Sequence, residues 1–507
     1  MALTTFLATA FGVLSIIYYA YKHITTLQAR KRLAAQHGCQ PLMHFVPAHN
    51  PLVDFTIMKE SIKAARDHTL LSVIQARFQK SANTFGARLI RKPIVATVEP
   101  ANIKTILSTH FKDYSLGARI DSLGPLLGMG IFTTDGAIWA HSRALIRPNF
   151  AKDQVADLAS FERHMQSLLK LIPRDGSTVD LQSLFFSFTI DSATEFLFGT
   201  STNTLAMAVA GREAGDAERF AVAFNVAQDA CAQRFRRGFL ARFRRDPEGD
   251  AATAECHAFV DQFVDEAVRY RADVEKGLAK EDKYVFLHEL AKATSDKRQL
   301  RDELLNVLLA GRDTTASLLS NMWFMLAKHP EVWAKLRREV EQELQGRLPT
   351  YEQLRNLKYL KYCMNESLRL HPVVPSNSRL ALVDTILPLG GGPDSKSPLL
   401  IPAGTLVTYS PYAMHRRTDL FGPDAADFKP ERWETLRPGW EYLPFNGGPR
   451  ICLGQQYALT EAGYVTVRLL QEFERCEDRD GGVWEESLTL TVCSRNGTKV
   501  GLTPVEK

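Results

Sequence analysis

Phe445-Asn446-Gly447-Gly448-Pro449-Arg450-Ile451-Cys452-Leu453-Gly454 is the stretch on which the reading of this chain turns. It frames one potential thiolate, Cys452, with glycines, a proline and an arginine. A single cysteine cannot build a zinc site, which takes several thiolate or imidazole ligands together. It can serve as the axial ligand of a haem, where a thiolate pushes electron density onto the iron. Gly447, Gly448 and Gly454 allow backbone to approach a flat macrocycle closely, and Arg450 offers a rigid fork for a carboxylate such as a propionate. The residues after it, Gln455 to Phe473, read as a helix whose amino end would stabilise a thiolate. The plainer alternative is a small buried cysteine in a glycine turn.

Working outward, Ala310-Gly311-Arg312-Asp313-Thr314-Thr315 lies within an apolar helical run holding Leu304, Leu305, Val307, Leu308 and Leu309. An acid and two hydroxyls buried in a helix are costly unless paired or functional. A threonine bonded back to a carbonyl one turn earlier is the alternative. Glu366-Ser367-Leu368-Arg369 sets opposite charges three apart on one helical face, and Arg432 follows in Pro430-Glu431-Arg432-Trp433.

Together these stretches resemble the cytochrome P450 haem-thiolate monooxygenases, through Phe-x-x-Gly-x-Arg-x-Cys-x-Gly, the central-helix pattern at Asp313-Thr314 and Glu-x-x-Arg at Glu366 and Arg369. The resemblance implies a mostly α fold with minor β and a haem b cofactor, with Cys452 as the iron's axial ligand. Phe445, Arg450, Gly448 and Gly454 would shape the cofactor loop. Trp139, Arg143 and Arg379 match propionate contacts, although each is also explicable as an ordinary packed or surface residue. Thr314 takes the oxygen-activating position and Asp313 that of its proton-delivering neighbour. Glu366, Arg369 and Arg432 would form a structural network that positions the Cys452 loop. O2 and NADPH-derived electrons are the implied co-substrates. No flavin or nicotinamide domain is evident, so the implied partner is an NADPH-cytochrome reductase, with cytochrome b5 as a further one.

Composition fits this reading. The chain has 507 residues, 45% of them hydrophobic, enough for a large core, and a net charge of +5, too weak to imply nucleic acid. Its seven cysteines are scattered and odd in number, which suits a reducing compartment rather than a disulfide framework. His141, His371 and His415 share no metal-ligand spacing. Leu3 to Tyr21 carries no charge, and Lys22, Arg30, Lys31 and Arg32 follow. Such a segment is long enough to cross a bilayer, and its basic flank keeps the remainder in the cytoplasm. The expected organisation is an anchor at 1–24, a basic, proline-containing connection at 25–60, and a haem-binding domain at 61–507, on the endoplasmic reticulum membrane.

Helical periodicity is expected over 151–173, 181–197, 217–236, 256–275, 299–327, 330–345 and 356–370. Strands are expected within 78–110, at 379–387 and 404–409, and over Leu488-Thr489-Leu490-Thr491-Val492, with Gly390-Gly391-Gly392-Pro393 as a loop. The arginine-rich run 234–245, with Phe235, Phe239 and Phe243 on one helical face, reads either as a membrane-surface helix or as a core-packed aromatic face with solvated arginines.

Leu126-Leu127-Gly128-Met129-Gly130-Ile131-Phe132, His141-Ser142-Arg143 and Gly454-Gln455-Gln456 bring the chain closest to the fungal alkane- and fatty-acid-hydroxylating branch. That branch implies a long aliphatic substrate oxidised at or near its terminal carbon, with Leu116, Leu305, Leu309, Val373 and Leu490 near the pocket by family position. Tailoring of a fungal secondary metabolite is the alternative. A haem sensor or carrier is a remote third reading and would not need Asp313 and Thr314.

Overall fold

The computed structural model describes residues 2–47, 55–89, 92–150, 157–212, 215–277 and 284–506. Backbone packing divides the chain into two units, one made of residues 1–60, 74–115 and 377–410, the other of 61–73, 116–376 and 411–507. The expectation of one body over 61–507 did not anticipate this division.

The first unit begins with helix α1 (Ala2–Gln36), of which Thr4–Gln36 is long and apolar enough to cross a membrane. Phe6, Phe11 and Ile16 are exposed along it. The helix does not stop at residue 24 but runs on through the basic flank. There the Arg30 guanidinium Nε meets both carboxylate oxygens of Asp384 at 3.0 and 2.9 Å, and Asp384 in turn accepts from the Ala403 amide at 2.7 Å. The following connection is pinned to strands, with Gln40 N donating to Pro398 O and Val46 N to Gly86 O, both at 2.9 Å. Its residues 48–54 lie outside the described ones.

A sheet runs in the order Thr84–Leu89, Lys92–Thr97, Leu406–Tyr409, Asn377–Ala381, Tyr114–Ser115. Only the pairing of Lys92–Thr97 with Leu406–Tyr409 is parallel. The glycine run expected as a loop is partly strand. Thr385–Gly391 pairs with Ser397–Ile401, and a side chain on Gly391 would come within 2.5 Å of Pro398 O and 2.6 Å of Gln40 O. Close backbone approach, not a turn, demands glycine there.

The second unit is helical. Its principal helices are α2 (Gly136–Ile146), α3 (Leu181–Phe198), α4 (Asp216–Arg237), α5 (Pro247–Glu275), α6 (Lys297–Lys328), α7 (Lys358–Leu370) and α8 (Gln455–Glu472). The periodic segments thus appear near their expected bounds, with two notable departures. α5 starts earlier than expected, where Asp246 caps the Gly249 amide and Pro247 occupies the first turn, a position in which proline has no helical donor to lose. The segment expected over 151–173 is helical at Leu158–Leu171, with 151–156 outside the described residues. The run expected as a single strand at 488–492 is a hairpin, Glu486–Leu488 against Val492–Ser494, with Leu490 in its turn.

α6 is buried along most of its length and lies between two apolar clusters. Burial of Asp302, Asn306 and Asn321 is tolerable because each binds a neighbouring segment. Asp302 accepts from Met129 N at 2.8 Å, Asn306 bonds Leu127 O at 2.8 Å and Phe132 N at 3.1 Å, and Asn321 bonds Val492 O at 3.0 Å. A Cβ on Gly128 (φ +57°) would fall 2.1 Å from the Asp302 carboxylate, and one on Gly130 2.2 Å from Asn306. The glycines of Leu127-Gly128-Met129-Gly130 are therefore fixed by contact with α6.

Candidate active site

The cysteine loop is built on the network of α7. Glu366 and Arg369 are fully buried. Arg369 Nε and Nη2 reach the two Glu366 oxygens at 2.9 and 2.8 Å, and its remaining donors go to the carbonyls of His415, Ala425 and Asp427. Arg432 reaches Glu366 at 3.4 Å but binds Asp424 more closely, at 2.7 Å. Trp433 Nε1 also donates to Glu366, at 3.0 Å. His415 completes the link: Nδ1 lies 3.2 Å from Arg369 O, and Nε2 accepts from the Leu443 amide at 2.9 Å. Burial drives its pKa down to about 3, so it is a neutral connector. Trp433, Asp424 and His415 were not anticipated as members of this network.

Two residues beyond Leu443, Phe445 packs against the first apolar cluster, and its carbonyl accepts the Cys452 amide at 3.0 Å. Asn446 (φ +62°) and Gly448 (φ +67°) turn the chain between them. Gly447 is required because a Cβ would meet the Trp440 ring at 2.6 Å, whereas one on Gly454 would rest in ordinary contact, 3.5 Å from Phe150. Gly454 caps α8.

Cys452 opens into a cleft of about 780 Å³ lined by Trp139, Arg143, Phe150, Gly448 and Leu453, among others. That volume lies in the range of small-molecule and cofactor sites. The thiol is reachable from the cleft yet hemmed in by protein, and burial raises its pKa. The Gly454 amide and the Arg143 charge oppose that rise without reversing it. The helix-end amide does favour the thiolate, as expected; in the chain alone desolvation is the larger contribution, and a bound metal cation would favour the deprotonated form.

Trp139 is flanked by two guanidiniums, Arg450 at 4.4 Å and Arg143 at 5.9 Å from its ring centre. Arg450 does not present a free fork for a propionate. It donates to Asp135 Oδ1 at 2.7 Å, Thr134 O at 2.8 Å and Ile131 O at 3.3 Å, tying the cysteine loop to the segment before α2. Arg143 and Arg147 repel each other, and neither has a carboxylate within ion-pair distance among the described residues. A thiol, an aromatic plate and uncompensated cations around one cleft fit an anionic-edged iron macrocycle. Arg379 belongs to the first unit. It is buried, donates to Asn377 Oδ1 at 3.0 Å and Ser378 O at 2.7 Å, and leaves Nε without a partner among the described residues.

On α6, Thr314 Oγ1 donates to Ala310 O at 2.5 Å, which is the internal bond the sequence left open. Asp313 is buried, which raises its pKa against the pull of Arg312. Arg312 Nη1 lies 3.1 Å from Asp313 Oδ1 and 2.7 Å from Asn225 Oδ1 on α4. Arg312 as the clamp on Asp313 was missed, because a charge within an apolar run reads as a helix face until its partners are seen. Two further acids were missed. Burial raises Glu303 to about 7 and Glu461 to about 8, offset in part by the nearby Ser142 hydroxyl for Glu303 and the Ser192 and Thr315 hydroxyls for Glu461, and neither carboxylate makes a well-formed hydrogen bond among the described residues. Of the five expected pocket residues, Leu305, Leu309 and Leu490 share the second apolar cluster. Val373 lies in the first cluster instead, and Leu116 is buried outside both.

The cytochrome P450 family model matches residues 50–497. The chain belongs to the cytochrome P450 family. It is 51% identical over 481 residues to the cytochrome P450 monooxygenase himC of Aspergillus japonicus, covering 94% of this chain and 86% of that protein. Identity to the cytochrome P450 monooxygenase fsdH of Fusarium heterosporum is 49%, covering 96% and 86%. With cytochrome P450 52A12 of Debaryomyces hansenii it is 44%, covering 88% and 89%. This P450 is a haem-thiolate monooxygenase that uses haem b, O2 and NADPH-derived electrons. It takes its electrons from a reductase and is held at the endoplasmic reticulum membrane by α1.

Proposed function

We propose that this P450 hydroxylates the terminal carbon of long aliphatic chains, fatty acids or n-alkanes. The observation that carries the reading is the apolar cluster of Leu305 and Leu309, on the helix that bears Asp313 and Thr314, with Leu490 of the hairpin turn packed against them. An apolar surface of this kind takes up an alkyl chain through desolvation and contact alone, and Arg312, Asp313 and Thr314 form a polar step beside it. A substrate that partitions into lipid also suits a protein on a membrane helix.

Within this reading Cys452 is the axial ligand, and Trp139 and Arg143 hold the cofactor's edge. Haem, when bound through a thiolate, supplies the activation of O2. The chain's own residues govern protons and access. Thr314 Oγ1 spends its proton on Ala310 O, so its lone pairs are left to accept from a water or a protonated oxygen. Asp313, with a carboxyl raised by burial, holds a proton nearer neutrality than an exposed aspartate does, and Arg312 keeps it in place. The Glu366–Arg369–Arg432 network and His415 fix the loop that presents Cys452. Cytochrome b5 is a second electron donor in this scheme.

The test is product analysis of the membrane-bound protein supplied with a reductase, NADPH and oxygen, offered fatty acids and n-alkanes. Terminal alcohols or diacids that vanish in Cys452→Ala are the expected result. A thiolate-type reduced carbon monoxide spectrum without any aliphatic product would reject the substrate class and leave the monooxygenase.

A further inference from the structure

Asn225, Gln228, Ala232 and Arg236 recur every three or four residues along α4 and so line one side of it. The amino-terminal part of this stripe faces the polar step of α6, where Asn225 accepts from Arg312 and Gln228 stands beside Asp313. At the other end, Arg236 donates through Nη2 to the carbonyl of Leu488. That carbonyl leads into the hairpin turn whose Leu490 packs in the cluster of Leu305 and Leu309. The stripe therefore runs from the Asp313 step to the hairpin that adds Leu490 to the apolar cluster of Leu305 and Leu309. Beyond Arg236 the expected aromatic face breaks down: α4 ends at Gly238 (φ +55°), and Phe235 and Phe243 are exposed rather than core-packed.

Arg236 differs from its basic neighbours. Arg234 pairs with Asp250 at 2.6 Å, and Arg237 donates to Gln233 at 2.8 Å. Arg236 is half-buried and has no carboxylate within ion-pair distance among the described residues, since Asp229 and Glu486 act on it only from farther away. Glu486 is already committed to the Leu70 and Leu71 amides at 2.7 and 2.8 Å. A guanidinium keeps its charge in a protein and carries five donors, so one carbonyl leaves most of its capacity unused. A partly desolvated fork of that kind is a receptor for a planar carboxylate.

We propose that Arg236 anchors the carboxylate of a long-chain acid whose far end reaches the Thr314 region, an inference that rests on the aliphatic reading above. The dimensions agree. From Asn225 to Arg236 is eleven residues of helix, a rise of about 16 Å at 1.5 Å each. An extended chain advances ~3.5 Å per three bonds, so the span corresponds to roughly fourteen carbons. An acid held by its head at this distance offers its methyl end to the reacting centre, which accounts for terminal attack. An n-alkane has no head for the fork and enters without using it.

The experiment titrates the haem-loaded full chain with hexadecanoate and, separately, hexadecan-1-ol, following the shift in haem absorbance as each binds. Arg236→Gln is expected to weaken hexadecanoate binding by about 10- to 100-fold, the loss of a charged hydrogen-bonded pair, and to leave hexadecan-1-ol binding unchanged. Arg236→Lys, which keeps the charge without the fork, is expected to fall between the two and serves as the second variant. In Arg236→Gln, hydroxylation of hexadecanoate should also spread inward from the terminal carbon. Equal hexadecanoate affinity in wild type and Arg236→Gln overturns the anchor and leaves the aliphatic reading standing. Loss of both ligands in the variant also overturns it, because it makes Arg236 a packing residue. A wild-type protein that binds neither ligand rejects the aliphatic reading itself.

Discussion

At the residue scale, the site balances burial against specific partners. Thr314 donates inward to Ala310 O and is left as an acceptor. Thr314→Ala is therefore expected to keep the spectrum and the NADPH consumption of the wild type while product per NADPH falls by about 10- to 100-fold, the scale of lost proton positioning. Coupling of NADPH oxidation to product is the measurement, and unchanged coupling would remove Thr314 from proton handling. Glu461 supplies a pH test. Its carboxyl is raised from 4.5 to about 8 by burial, and the Ser192 and Thr315 hydroxyls offset this only in part. Below the ordinary value the group is neutral whether the chain is folded or not. Between 4.5 and about 8 the unfolded chain releases this proton and the folded one holds it. Stability from this group is thus lost as pH rises through that window. Glu461→Gln is expected to gain on wild type by a few kcal/mol, ~3 in order of magnitude, on going from about pH 5 to about pH 8.5. Thermal unfolding of the haem-loaded pair at both pH values reads this out, and parallel pH profiles would refute it.

At the scale of elements, polar residues on buried helices act as fastenings. The Met129–Asp302 and Phe132–Asn306 bonds hold residues 128–134 against α6, and the same segment receives Arg450 from the cysteine loop. Gly128→Ala places a methyl 2.1 Å from the Asp302 carboxylate at a φ of +57°. A destabilisation of about 2–4 kcal/mol is expected, with lower haem occupancy, read as the ratio of haem to protein absorbance. In the α7 network, Glu366→Ala leaves Arg369 buried without its anion, which costs about 3–5 kcal/mol, and the expected result is protein without a thiolate-type spectrum. The helices themselves were legible because 3.6-residue periodicity survives in α4 and α7, and apolar-rich runs of helical length mark α3 and α6. The hairpin at 486–494 was not, because alternation continues through the turn residues Thr489-Leu490-Thr491 and nothing local marks the reversal. Gly390 and Gly391 misled in the opposite direction. Gly391 is there to admit neighbouring backbone, and Gly390, at φ +121°, packs against the Thr84 side chain within the strand.

At the scale of the whole molecule, the end of the anchor helix is tied to the rest of the first unit by the Arg30–Asp384 pair as well as by the chain. Removal of residues 2–21 takes away most of the apolar exposed surface of α1 and spares Arg30. The shortened protein is expected to leave the carbonate-resistant membrane fraction and to retain its reduced carbon monoxide spectrum. Membrane retention without those residues would show that other surfaces suffice. Arg30→Ala in the full chain is expected to leave membrane retention intact, since a partly exposed ion pair on the surface contributes only about 0–1 kcal/mol and partitioning is driven by the apolar helix.

The sequence by itself determined the family, the anchor and the helical character, and pointed to Cys452 as the candidate thiolate ligand, because each is written in residues close together along the chain. A ten-residue loop, a six-residue helical step and one uncharged run carry them. Tertiary structure alone decided which charges are spent and which are spare. Arg450, expected at a propionate, is bound to Asp135 more than three hundred residues away. Asp313 is held by a clamp completed from α4. Arg236, one arginine among six in its stretch, is left half-buried with a single carbonyl. The physical reason is common to all three: the cost of burying a charge depends on partners brought near by packing, and packing of residues so far apart leaves no mark in local sequence.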